Sequence, residues 1–181
     1  MPRNMLCVIA KLDKKSTDKL IEIRKAAFPP VSEGKTLYGH ITLATYHGED
    51  EPRFVRFCKS ALEDASAFDI VYEKIEVLEE TSIIVAVPAK SEPLARLHQC
   101  IAEAYGDALD LWTKGDRWYP HTTLLFGPQL DLHVLRDQMA NVFSPFAVRI
   151  SRIEFSRVLV NTYEIVDSLD LAPCNHHSTS L

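Results

Sequence analysis

The chain has 181 residues, 46% of them hydrophobic and 25% charged, with a formal net charge of −5. That balance predicts one globular domain with a proper core, and the acidic surplus excludes tight nonspecific binding to long DNA or RNA, which rests on a basic surface. No apolar run approaches the ~20 residues that cross a bilayer, and the apolar start is too short for a signal peptide, so the chain reads as cytoplasmic with no membrane partner. Cys7, Cys58, Cys100 and Cys174 are scattered, which fits neither a zinc site nor a disulfide framework.

The elements follow in order. Residues 5 to 11 read as a first strand, stopping at Lys11. A helix over 16 to 28 carries Leu20, Ile23 and Ala27 on one stripe, with Ile21 and Phe28 beside it, and Pro29-Pro30 ends it. A Gly/Ser/Glu loop leads to a second strand over 38 to 45. Asp50 or Glu51 caps the next helix and Pro52 suits its first turn; Phe54, Phe57, Cys58, Ala61 and Leu62 form its buried face. Strands over 70–78 and 82–87 flank a Glu79-Glu80-Thr81 turn. Ser91 caps a third helix with Leu94, Leu97, Ile101 and Ala104 on one face. Residues 119 to 126 read as a strand, and Asp131 caps a fourth helix with Leu132, Leu135, Met139 and Val142 on one side. Residues 146 to 171 read as two or three antiparallel strands, and the polar tail 173–181 as disordered. The mixture of hairpins and crossovers predicts an α+β fold, one domain of two lobes over residues 1–172.

The informative feature is an internal repeat. Tyr38-Gly39-His40-Ile41-Thr42-Leu43 returns as Tyr119-Pro120-His121-Thr122-Thr123-Leu124, with tyrosine, histidine, threonine and leucine at the same four offsets. Strand alternation puts Tyr38, His40 and Thr42 on one face and Ile41 and Leu43 on the other, and the second copy repeats this, with Thr122 a less obvious core residue. Two such strands side by side would bring two imidazoles and two hydroxyls into one cleft. That set suits phosphodiester chemistry. One histidine serves as base and the other as acid, and hydroxyls donate to the phosphate oxygens. No metal or other cofactor is required.

These paired motifs resemble those of the two-histidine phosphoesterase superfamily, which includes the bacterial and archaeal 2'-5' RNA ligase or cyclic phosphodiesterase proteins. His40-Ile41-Thr42-Leu43 fits that family's pattern throughout, whereas Thr122 stands where a hydrophobic residue is common. The resemblance implies two pseudo-symmetric lobes, each an antiparallel-rich sheet backed by helices, with the active-site cleft between them. It implies action on 2',3'-cyclic phosphates of nucleotides or of RNA ends, with a small-molecule cyclic nucleotide or an RNA terminus as substrate. Carried over, His40 and His121 are the acid/base pair, and Thr42 and Thr123 bind phosphate. Which histidine is the base stays open.

Tyr38 and Tyr119 share the histidine face and are candidates to touch a base or ribose, the alternative being cleft-edge shielding. Arg117 has alternation parity with His121 and is a further substrate-binding candidate, while Trp118 reads as packing. Lys114, Arg149, Arg152 and Arg157 read as surface charges, as do His47, His98 and His133 as surface histidines; His176-His177 lies in the tail. Reversible joining of RNA ends through a 2'-5' bond would use the same groups. A binding module without turnover is the alternative of a different class. A metal hydrolase is disfavoured, because neither motif has an Asp, Glu or Cys on its strand face. No interface pattern is sustained, so the default is a monomer.

Overall fold

The computed structural model describes residues 5–27, 37–158 and 163–173. Seven strands and four helices alternate as β1 (Met5–Leu12), α1 (Lys14–Ala27), β2 (His40–Tyr46), α2 (Glu51–Leu62), β3 (Phe68–Leu78), β4 (Ile83–Pro88), α3 (Glu92–Tyr105), β5 (Thr122–Phe126), α4 (Leu132–Val142), β6 (Phe146–Val158) and β7 (Tyr163–Asp170). The fold is α+β with antiparallel strand pairs throughout. Phe28, Pro29-Pro30, Cys174, His176-His177 and the tail beyond residue 173 lie outside the described residues.

The sheet order is β2-β1-β6-β3-β4-β5, with β7 also paired to β6. This order is unchanged when β1, β2 and β3 are exchanged with β4, β5 and β6. The chain is therefore two copies of a β-α-β-α-β unit, β1-α1-β2-α2-β3 and β4-α3-β5-α4-β6, related by an approximate twofold axis through the β3–β6 pair. The two halves are one hydrogen-bonded sheet because β6 serves both. Its residues 146–150 pair with β3, and residues 150–158 pair with β1.

The helices are exchanged between halves. α3, from the second unit, packs on α2 and β2, while α1, from the first, packs on α4 and beside β5. Each motif strand is thus backed by the other unit's helix. Ile41, Leu43, Phe54, Leu94 and Ile101 are fully or almost fully buried in this arrangement. Helix entry follows local sequence: Asp50, Ser91 and Asp131 each accept a backbone N–H of the first turn, and Pro52 and Pro93 sit there without needing a donor.

Some face assignments change. Ala61, Ala104 and Val142 are exposed, whereas Val55 and His98 are buried. The exchange of helices explains the last of these: the face of α3 meets β2, whose backbone offers a carbonyl that a histidine can use. Cys7, Cys58 and Cys100 are free thiols. Among the described residues no helix is long and apolar enough to cross a membrane.

Candidate active site

Both motif strands lie at the ends of the strand order, so among the described residues each has one edge with no strand along it, that of β2 being bridged only near its end, at Tyr46 and Leu109. The two edges meet through side chains. Thr122 Oγ1 donates to the His40 carbonyl at 2.7 Å, and Trp118 Nε1 donates to the Thr42 carbonyl at 2.8 Å. Carbonyls 40 and 42 face the same way along β2, so the second motif and the residue before it satisfy the open edge of the first. This stitching bonds the residue after His121 to the His40 backbone, and the two imidazoles lie close enough to act on each other electrostatically.

The register also repeats. Val8 and Ile9 pair with Ala44 and Thr42, which leaves Leu43 as an extra residue; Ile84 and Val85 pair with Leu125 and Thr123, which leaves Leu124. Both copies thus carry a bulge at the same leucine. The Leu43 carbonyl released by the bulge accepts from His98 Nδ1 at 2.8 Å, and the His98 ring stacks on Trp118 at 4.2 Å. His98 is therefore a buried scaffold residue rather than a surface one, and the expected packing role of Trp118 extends to holding β2.

The tyrosine of each motif precedes the regular pairing, and in the second copy the histidine does too. β2 begins at His40 and β5 at Thr122, later than the alternation predicts. In both copies the histidine turns back on its own chain. Nδ1 of His40 lies 2.6 Å from the Tyr38 carbonyl, and Nδ1 of His121 lies 2.7 Å from the Tyr119 carbonyl. A carbonyl can only accept, so Nδ1 carries the hydrogen and Nε2 is the atom left to exchange protons. Among the described residues neither Nε2 has a hydrogen-bond partner. Burial lowers both imidazole pKa values, against the raising effect of these carbonyl contacts; for His40, Lys11 and His121 lower it further and Glu154 opposes them.

The tyrosines are held by a second repeat. Lys74-Ile75-Glu76 on β3 matches Arg152-Ile153-Glu154 on β6. Tyr38 Oη donates to Glu154, and Tyr119 Oη donates to Glu76 at 2.5 Å. Each carboxylate is paired with the cation two residues before it: Arg152 to Glu154 at 3.3 Å and Lys74 to Glu76 at 2.7 Å. Burial works against ionisation of Glu76, but Lys74 and Tyr119 outweigh it and hold its carboxyl below the usual range. The outcome in each half is a chain from cation to carboxylate to tyrosine, whose backbone sets the histidine. Glu76, Glu154 and Arg152 were not legible as site residues from the histidine motifs alone. The repeated cation-Ile-Glu triplet is the signal that finds them.

Thr42 and Thr123 are half-buried and share the alternation face of their histidines. Thr122, the departure from the hydrophobic pattern, is only 1% exposed, and its hydroxyl also bonds the phenol of Tyr72, itself 0% exposed. Gly39 is required in the first motif, because a Cβ there would lie 2.2 Å from Thr17 Oγ1 on α1. Beside His121 opens a cavity of about 440 Å³, lined by Leu78, Trp112, Arg117 and Tyr119 among others. The structure brings Arg117 and Tyr119 to this cavity with His121, while the Tyr38 ring is instead covered by the Lys11 ammonium at 3.3 Å. Lys114 pairs with Asp107, Arg149 with Asp69, and Arg157 with Glu51 and Glu164, so each is matched by a carboxylate. His133 is exposed and pairs with Glu79, whereas His47 is partly buried against Asp110. Among the described residues no group of three or more His, Cys, Asp or Glu is placed to hold a metal ion.

Two histidines with fixed tautomers, in duplicated backbone clamps, define a two-histidine site. The 2'-5' RNA ligase superfamily model matches residues 15–161, and the chain belongs to that superfamily. Among solved structures it is similar to Escherichia coli LigT in apo form, with TM-score 0.67 at 15% identity over 93% of this chain and 98% of that one. It is also similar to a structure described as a phosphoesterase, with TM-score 0.64 at 16% identity over 93% and 99% of the two chains. E. coli LigT complexed with 3'-AMP matches with TM-score 0.64 at 15% identity over 93% and 97%. These likenesses establish the fold. No curated protein matches by sequence.

Proposed function

We propose that the chain is a metal-independent phosphodiesterase that hydrolyses 2',3'-cyclic phosphates of nucleotides or RNA ends. The observation that carries this reading is the duplicated clamp, in which the Tyr38 and Tyr119 carbonyls hold His40 and His121 in the same tautomer. In the mechanism, the Nε2 of one neutral histidine takes a proton from water as the water oxygen bonds to phosphorus. The other histidine, protonated, gives its Nε2 proton to the ribose oxygen as the P–O bond breaks. Thr42 and Thr123 donate to the non-bridging oxygens, where charge accumulates. Proton and charge balance are kept within the pair, so no step calls on a metal.

The substrate on this reading is small, a cyclic nucleotide or an RNA terminus. The aromatic and apolar lining beside His121, with Trp112 46% exposed, suits a nucleobase. That E. coli LigT has been crystallised with 3'-AMP supports a nucleotide-sized ligand. The description of the matching family favours a second reaction of the same site, in which an RNA 5'-hydroxyl replaces water and a 2'-5' bond forms. The protein is proposed to act as a cytoplasmic monomer.

The test is turnover of the four nucleoside 2',3'-cyclic phosphates in the presence of a chelator, for wild type, His40→Ala and His121→Ala, with the product isomer identified. Turnover that both substitutions abolish supports the mechanism, and the isomer names the leaving oxygen. Turnover that survives both substitutions refutes it.

A further inference from the structure

The approximate twofold matches the two half-sites residue by residue, and one position breaks the match. Across the first half, His40 pairs with Lys11 on β1, and Lys11 pairs with Arg152 on β6. In the second half the place of Arg152 is taken by Lys74, and its β4 partner is Val87. Lys11 and Val87 are thus equivalent. A buried valine suffices there in one half, so the fold itself does not require a cation at this place.

Lys11 also differs from the other cations of this face. Arg152 is neutralised by Glu154 at 3.3 Å and by Asp170 at 2.9 Å, and Lys74 by Glu76 at 2.7 Å. Among the described residues Lys11 forms no ion pair. Its Nζ donates to the Gly39 carbonyl at 3.1 Å and lies 3.3 Å above the Tyr38 ring centroid. Half-burying an ammonium on a carbonyl and an aromatic face leaves it without a full countercharge and with a donor to spare. Its desolvation lowers the pKa, an effect that the nearby Glu154 opposes without reaching ion-pair distance.

We propose that Lys11 is a binding residue for the substrate phosphate, supplying the cationic donor on the His40 side that Val87 cannot supply on the other. The proposal rests on the phosphodiesterase reading and adds to it. A site with two like halves would accept a phosphodiester in two orientations. Lys11 stands beside His40, whereas in the cavity beside His121 the single cation, Arg117, is outnumbered by Glu79 and Glu80 among Leu78, Trp112 and Tyr119; this leaves one, with the anion held toward Lys11 and the ring-bearing part toward Trp112.

The experiment is calorimetric titration of adenosine 3'-monophosphate and of adenosine into wild type, Lys11→Met, Lys11→Arg and His121→Ala, each shown folded by thermal melting. Loss of one charge-assisted hydrogen bond predicts nucleotide binding weaker by about 10- to 100-fold in Lys11→Met. Adenosine binding should be unchanged, and Lys11→Arg should retain most of the nucleotide affinity. Equal weakening of nucleotide and nucleoside, or a Lys11→Met protein that does not fold beside a Lys11→Arg protein that binds as weakly as adenosine does, would make Lys11 structural and overturn the proposal. Undiminished nucleotide binding in Lys11→Met, with loss in His121→Ala, would overturn it while leaving the phosphodiesterase reading intact. Wild type that binds nucleotide no better than adenosine would remove that reading itself.

Discussion

Replacing Thr122 by valine removes one hydroxyl and keeps the shape. The hydroxyl has one hydrogen, which goes to the His40 carbonyl at 2.7 Å, so the Tyr72 phenol is the donor in the second bond. Both side chains are essentially inaccessible, at 1% and 0% exposure, so in Thr122→Val no water can replace the partner that Tyr72 loses. An orphaned buried donor costs about 1 to 3 kcal/mol, and the bond to His40, near the cleft, adds about 0.5 to 1.5 kcal/mol. The expected destabilisation of Thr122→Val is therefore about 2 to 4 kcal/mol. Tyr72→Phe alone leaves Thr122 bonded to His40 and should cost about 0.5 to 1.5 kcal/mol. In the double variant no phenol remains to be stranded, so it should be less destabilised than the sum of the singles by on the order of 1 kcal/mol. Urea unfolding with linear extrapolation measures all three. Strict additivity, or a valine variant as stable as wild type, would refute the linkage of the two motif strands through this hydroxyl.

Four further outcomes are expected. Because burial lowers both His40 and His121, kcat/KM should be bell-shaped with its maximum on the acid side of the ordinary histidine value of about 6.5; a maximum well above it would contradict the assignment. Thr42→Ala and Thr123→Ala should each raise the barrier by about 2 to 4 kcal/mol, less than either histidine substitution, in steady-state kinetics. Glu154→Ala should destabilise more than Glu76→Ala in chemical unfolding, since the Glu154 side chain is 6% exposed and that of Glu76 is 32% exposed; both should lower kcat through the tyrosine they hold, and an effect on neither would remove the carboxylate–tyrosine chain from the site. His98 has its pKa lowered by burial, so the unfolded chain binds its proton first as pH falls. Stability should be full above about pH 6.5 and decline as pH drops toward the lower folded value, and His98→Gln should flatten that part of the curve.

The candidate site of this chain was legible because its motif is written twice. The Tyr-x-His-x-Thr-Leu repeat named both histidines and both threonines before any geometry, and capping at Asp50, Ser91 and Asp131 with periodic apolar residues placed three of the helices. A second repeat, Lys74-Ile75-Glu76 and Arg152-Ile153-Glu154, was equally present in the chain. It carries no chemistry taken alone, since its meaning depends on strands two removed from the histidines. Periodicity also misjudged His98 and Ala104, because it shows that a helix has a buried face but not which backbone that face will meet. The exchange of α1 and α3 between halves decided that, by setting a histidine against the carbonyl that a bulge released at Leu43. Local pattern and spacing are properties of the chain and can be read from it. The sharing of β6 by both halves, the stitching of two edge strands by Thr122 and Trp118, and the inequivalence of Lys11 and Val87 are contacts between residues far apart in sequence. Only the packing of the sheet brings them together.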